Sequence, residues 1–181
     1  MMTGFTLSDD TASAADDPGP AKSPSELSLT DVFHENCIEI IRPATGKSSA
    51  ISLLIQILAR EQRIDRIHAE KLVRDLIERE RHTSSAIGRG LAFPHLRTRD
   101  VTHFAGAIGV APDGIHFGSL DGEPTKLVFL TLSPWDDREQ HQQLLSRLVS
   151  LMKDKAVNMR LNHQMQPRDI YAYLTDLDDQ S

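Results

Sequence analysis

Two kinds of apolar pattern alternate along this chain, and their alternation constrains the fold more than any other feature. Residues 48–62 place Ile51, Leu54, Ile55 and Leu58 on one helical face, and residues 66–81 repeat the spacing with Leu72, Val73, Leu76 and Ile77. A third helical stripe, Leu144, Leu145, Leu148, Val149 and Met152, spans 136–153. Between these stripes lie short runs rich in β-branched residues, 37–41, 105–111 and 127–132, which read as strands. A helix with one apolar stripe needs a surface to cover, and a strand that is apolar throughout needs cover on both faces. The alternation therefore predicts an α/β sheet covered on both faces.

Shorter elements complete the pattern. Leu29, Val32 and Phe33 suggest a short opening helix with Ser28 or Thr30 as its N-cap. Two helices over 154–161 and 167–175 close the domain, the second with Ile170, Tyr171 and Leu174 inward. Asp113-Gly114 and Asp121-Gly122 are turn signals. Residues 1–26, with the run Asp16-Asp17-Pro18-Gly19-Pro20, offer nothing to bury and read as a disordered tail. The folded domain is expected over 27–177, with the acidic end 178–181 frayed.

The formal net charge of −6 makes the chain a poor candidate for non-specific nucleic-acid binding, where clustered cations neutralise phosphates. A single cysteine, Cys37, excludes an internal disulfide and any multi-Cys metal site, and its apolar setting reads as a buried core thiol. No apolar run is long enough to span a bilayer and no leader pattern opens the chain, so neither membrane insertion nor export is expected and the location reads as cytoplasmic. No His-Glu-x-x-His run occurs, and His95, His103 and His116 are not spaced as ligands on one helix face, so no metal and no cofactor is expected.

Among the eight histidines, His95 stands out through what precedes it, Gly88-Arg89-Gly90-Leu91-Ala92-Phe93-Pro94. The glycines permit unusual backbone angles, Leu91-Ala92-Phe93 reads as a short buried strand, and Pro94 stops it. A histidine delivered at the end of such a strand has a rigid support at a sheet edge, where ligands of α/β folds gather. The local pattern alone fits a turn histidine after a proline as well.

The longer stretch Arg79-Glu80-Arg81-His82-Thr83-Ser84-Ser85-Ala86-Ile87-Gly88-Arg89-Gly90-Leu91-Ala92-Phe93-Pro94-His95 resembles the signature of enzyme IIA domains of the bacterial phosphoenolpyruvate-dependent sugar phosphotransferase system, of the fructose/mannitol/nitrogen class. Phe117-Gly118-Ser119-Leu120-Asp121-Gly122-Glu123-Pro124 is similar to that family's turn before its next strand, and His141 matches a second histidine at the start of the following helix. The resemblance implies one domain with a central mixed β-sheet flanked by helices on both faces. It also implies a phosphotransferase component in which His95 takes a phosphoryl group from the phosphocarrier HPr and hands it on.

In that reading Arg79 stabilises phosphoryl charge through its planar guanidinium, and His141 donates a hydrogen bond to the group. Ser84, Ser85, Gly88 and Gly90 line the pocket, and Glu80 makes local hydrogen bonds. The chain departs from the family pattern at Leu96, where glycine is usual, at Ser85 for threonine, and at Phe93 for an aliphatic residue; Arg97 and Arg99 are not distinctive of the family either. A nitrogen-type regulatory protein is the expected role, its phosphorylation state changing which proteins it binds. The alternatives are a detached subunit that passes phosphate to a IIB domain of a sugar transporter, and an unphosphorylated interaction module. The sequence carries no signal for an oligomeric state.

Overall fold

The computed structural model describes residues 27–42, 46–163 and 166–180. The expected tail 1–26 lies outside the described residues. A short helix α1 (Leu29–Val32) leads into strand β1 (Phe33–Ile40), followed by helix α2 (Lys47–Arg60). A 3-10 turn at Arg66–His68 precedes helix α3 (Ala69–His82), and three short strands follow: β2 (Ala86–Gly88), β3 (Leu91–Ala92) and β4 (His95–Thr98). Strands β5 (Ala105–Ile115) and β6 (Thr125–Pro134) form the centre, and helices α4 (Arg138–Lys153), α5 (Lys155–His163) and α6 (Pro167–Asp178) close the chain.

The sheet order is β1-β5-β6-β3-β2, with β4 also paired to β6. β1 and β5 are parallel and β5 and β6 antiparallel; β6 then runs parallel to both β3 and β4. The sheet is thus mixed. Its two faces bury separate cores. One carries Leu54, Leu58, Leu72 and Leu76 from α2 and α3 against Ala92, Val128, Leu130 and Leu132. The other carries Leu144, Leu148, Leu161, Ile170 and Leu174 from α4, α5 and α6 against Phe93, Leu127 and Phe129. The period-2 alternation along β6 explains the division, because even positions face one helical layer and odd positions the other.

The helical stripes are as expected at their centres and thinner at their margins. Leu72 and Leu76 are buried, whereas Val73 and Ile77 are only partly covered. Likewise Leu144, Leu148 and Met152 carry the α4 stripe, and Tyr173 is buried on α6 where Tyr171 only packs alongside. Asp113-Gly114 is no turn: it lies inside β5, where Gly114 takes a positive φ of 78° at an irregularity in the pairing with β6. Cys37 is fully buried, and loss of hydration pushes its thiol up to about 11.

Of the expected frayed end 178–181, Asp178 is held in the fold, and Ser181 lies outside the described residues. Helix α6 continues through Asp178, whose carboxylate accepts hydrogen bonds from the Leu29 and Thr30 N–H groups at 2.8 and 2.9 Å and pairs with Arg147 at 3.0 Å. An acidic side chain is stabilised there because the first N–H groups of α1 have no partner within their own helix. Composition shows the charge of Asp178 but not its distant partner.

Candidate functional site

His95 opens β4, the strand resumed immediately after Pro94, rather than sitting in a turn. Pro94 has no N–H, so the edge of the sheet is interrupted there; its carbonyl still accepts from the Thr131 N–H at 2.9 Å, keeping β3 and β4 in line on β6. Upstream, Phe93 stacks on Phe129 at 5.5 Å between ring centroids, and Phe129 meets Phe33 edge-on at 5.7 Å. This aromatic row anchors the strand segment that delivers the histidine.

The ring of His95 is held at both nitrogens. Its Nδ1 lies 2.8 Å from the Phe93 carbonyl oxygen, and its Nε2 lies 2.7 Å from Arg79 Nη2. A carbonyl only accepts and a guanidinium only donates, so the two bonds together require the tautomer with hydrogen on Nδ1 and a lone pair on Nε2. Burial pushes the pKa of His95 below its ordinary value; the Phe93 carbonyl opposes this and the Arg79 charge adds to it. The ring is therefore neutral near pH 7, with one nucleophilic nitrogen facing a cation.

Arg79 comes from the last turn of α3, on the helical layer opposite α4, and reaches round the free edge of β4. The adjacent Glu80 is buried and fixes the end of that helix: both its carboxylate oxygens accept from the Ser85 N–H, at 3.2 and 3.1 Å, and Lys47 pairs with it at 3.4 Å.

His141 stands in the first turn of α4 with its ring centroid 5.5 Å from that of His95, tilted by 52°. Its Nδ1 lies 2.6 Å from the hydroxyl of Ser133, a fully buried residue near the end of β6. Burial, then the neighbouring His95, Arg97 and Arg79, bring the pKa of His141 down to about 4. The buried Ser133 hydroxyl gains an acceptor by donating to Nδ1, an arrangement that puts the proton of His141 on Nε2. Sequence reading missed Ser133. The available signal was a hydroxyl terminating the apolar run 127–132, because a buried serine there needs a partner.

Arg79, His95 and His141 thus converge, while the structure gives the four expected pocket residues other contacts. The Ser84 hydroxyl donates to the Phe117 carbonyl at 3.0 Å, and the Ser85 carbonyl accepts from the Phe93 N–H at 3.1 Å, so both hold the chain around β2. Gly88 and Gly90 form the β2–β3 hairpin with φ of 90° and 75°, and a Cβ on Gly88 would lie 2.7 Å from the Asp121 carboxylate. Leu91 pairs with Leu127 and His95 with Thr131, four residues further along β6, so the hairpin is ~13 Å from His95 along the strand. Gly88 instead lines a separate cavity of about 590 Å³ with Leu91, Val149 and Met152.

The mixed sheet between two helical layers thus carries an arginine and two histidines at one edge, and comparison with known sequences identifies the family. The profile described as phosphoenolpyruvate-dependent sugar phosphotransferase system, EIIA 2, matches residues 31–177, and the chain belongs to that family. It is 28% identical to the fructose-specific EIIABC component of Bacillus subtilis over 75% of this chain, but spans only 21% of that protein's length. It is also 28% identical to a nitrogen regulatory protein of Bradyrhizobium diazoefficiens, covering 75% of this chain and 89% of that one. Among solved structures, the nitrogen regulatory protein IIA-Ntr of Neisseria meningitidis shares the fold with a TM-score of 0.72, at 24% identity, covering 81% of this chain and 98% of that one. Among the described residues no helix is long and apolar enough to cross a membrane.

Proposed function

We propose that this chain is a phosphoryl carrier in which Nε2 of His95 accepts the group from phosphorylated HPr and passes it to a further protein. The observation that carries the reading is the pair of hydrogen bonds on His95, which leaves a neutral ring with its lone pair on Nε2 beside a guanidinium. In the transfer, that lone pair forms a new P–N bond as the P–N bond to the donor imidazole breaks. The proton on Nδ1 stays in place, hydrogen-bonded to the Phe93 carbonyl, so the phosphorylated ring is cationic and ready to give the group up again. The departing donor imidazole leaves neutral by the same logic, and no net proton transfer is needed.

Arg79 then moves from the lone pair to the phosphoryl oxygens. There its fixed fork of donors meets charge that grows on the equatorial oxygens during transfer. His141, kept neutral and with its proton on Nε2, supplies a second donor. Three polar groups convergent on one sheet edge favour this reading over an unphosphorylated interaction module.

The nitrogen-type regulatory role is supported by the near full-length similarity to a protein named for it. A subunit passing phosphate to a IIB domain is favoured by the equal identity to a fructose-specific component. Incubation with enzyme I, HPr and phosphoenolpyruvate tests the carrier reading: the protein gains the mass of one phosphoryl group, and His95→Ala abolishes the gain. Absence of uptake by the folded protein with competent donors overturns it. Transfer onward to a cognate IIB domain assigns the transport role; phosphorylation-dependent binding without onward transfer assigns the regulatory one.

A further inference from the structure

The surface beside His95 carries two arginines, Arg97 and Arg99, for which the fold supplies no carboxylate partner among the described residues. Arg97 lies two residues beyond His95 on β4, and Arg99 follows just after the strand ends. Their guanidinium carbons stand 4.7 and 5.3 Å from the ring centroid of Trp135, which follows β6 directly and is 44% exposed. Some arginines pair with carboxylates, as Arg60 does with Glu61, Arg81 with Glu78 and Arg160 with Asp176, while others, such as Arg66 and Arg89, meet backbone carbonyls. Arg97 and Arg99 make no ion pair among the described residues. With Arg79 they set three guanidiniums along one sheet edge of a chain whose formal net charge is −6.

Like charges gathered this way repel one another. The indole face offsets part of that, by about 0.5–1 kcal/mol for each exposed cation–π contact. It satisfies none of the guanidinium N–H donors, of which each arginine carries several in a planar fork matched to carboxylates. Partly exposed tryptophan and arginine are also the residue types that anchor protein interfaces.

Position supplies the occupant. If His95 exchanges a phosphoryl group with another protein, that protein's own site comes within bonding distance of Nε2. An ordinary interface covers about 800 Å² on each partner, a disc of ~16 Å radius. Arg99 is four residues from His95, ~13 Å along an extended strand, so the same partner covers the whole patch. We propose that Arg97, Trp135 and Arg99 form a docking surface for an acidic segment of the protein that meets His95. The inference rests on the carrier reading for its location. A nucleic acid is disfavoured, since two arginines on an acidic chain are not the extended basic footprint that phosphate backbones require.

Trp135 is the only tryptophan in the chain, so its fluorescence reports on this patch alone. The full chain is titrated at low salt with hexaglutamate, with hexalysine and with a hexathymidylate oligonucleotide. Hexaglutamate is expected to change the Trp135 emission saturably and to bind more weakly as salt rises. The double variant R97A/R99A is expected to bind at least tenfold more weakly, and Arg168→Ala, on exposed α6 surface, to bind as the parent does. No response to hexaglutamate, an equal response in R97A/R99A, or tighter binding of the oligonucleotide overturns the proposal. Phosphoramidate, a small-molecule phosphoryl donor, is applied to the parent chain and to the single variant Arg99→Ala. Uptake on His95 is expected to be unchanged in that variant, because the Arg99 guanidinium is not among the charges acting on His141. Failure of uptake in the parent chain counts against the carrier reading, whereas the titration decides the docking surface.

Discussion

Ser133→Ala removes one hydroxyl from a site that otherwise keeps its packing, and so isolates what holds His141 in its donor form. The serine is fully buried and its hydroxyl sits 2.6 Å from His141 Nδ1. A neutral hydrogen bond of this kind contributes about 1 kcal/mol net, and ~1.4 kcal/mol is a tenfold change in an equilibrium. Loss of the hydroxyl therefore lowers the ratio of the Nε2–H to the Nδ1–H tautomer by roughly fivefold. In the minority tautomer His141 turns a bare lone pair toward the phosphoryl oxygens, so donation is lost in that fraction. Phosphoryl transfer to His95 is expected to slow by up to about fivefold, and unfolding stability to fall by about 1 kcal/mol. The direct assay is the pair of imidazole ¹⁵N shifts of His141 at pH 7, which separate a protonated from an unprotonated ring nitrogen without any phosphoryl donor. A parent protein with its proton on Nδ1, or a variant with the same tautomer ratio and transfer rate as the parent, refutes the reasoning.

Arg79→Ala is expected to slow transfer by ~10²–10³-fold in a single-turnover assay with phosphorylated HPr, the usual cost of removing one aimed donor, and Arg79→Lys to recover only part of the loss because a point charge lacks the fork. Stability is expected to fall with acid through His141. Its folded pKa, about 4, lies below the ordinary value, so between the two the unfolded chain binds more protons and stability is lost as pH drops from ~6.5 toward 4. The full shift corresponds to about 3 kcal/mol, and partial solvent access reduces this to roughly 1–2 kcal/mol. Thermal melts of the parent and of His141→Gln between pH 7 and 4 measure it, and a parallel decline in both rules the histidine out. Asp178→Ala is expected to cost about 3 kcal/mol, or ~6–12 °C in Tm, because the α1 N–H groups and Arg147 lose their shared carboxylate. An unchanged melt would mean that the chain end contributes nothing. Phe93→Ala is expected to cost about 3–5 kcal/mol by denaturant unfolding, since it opens the aromatic row beneath β4.

How much of this was legible in the sequence follows from the range of the interactions involved. Helical stripes and apolar strands are local periodicities, so the order of elements and the covered sheet could be read directly; so could the family-like segment from Arg79 to His95 and its partner His141. What misled was also local. Asp113-Gly114 has turn chemistry, but pairing with β6 draws it into β5. Gly88 and Gly90 read as pocket-lining residues, but their positive φ shapes the β2–β3 hairpin, where Gly88 closely approaches Asp121 and Gly90 packs against Pro124 and Lys126, at the far end of the strand from His95.

By itself, then, the sequence determined the α/β class and pointed to Arg79, His95 and His141, the three residues that the fold brings together. Only the tertiary structure decided which nitrogen of His95 carries the lone pair, because that depends on a backbone carbonyl and on an arginine from the opposite helical layer. It likewise decided that Ser133 orients His141 and that two arginines gather on Trp135, since these contacts join separate elements across the sheet edge. No spacing rule along the chain encodes a hydrogen bond between residues whose proximity is created by the packing of other elements.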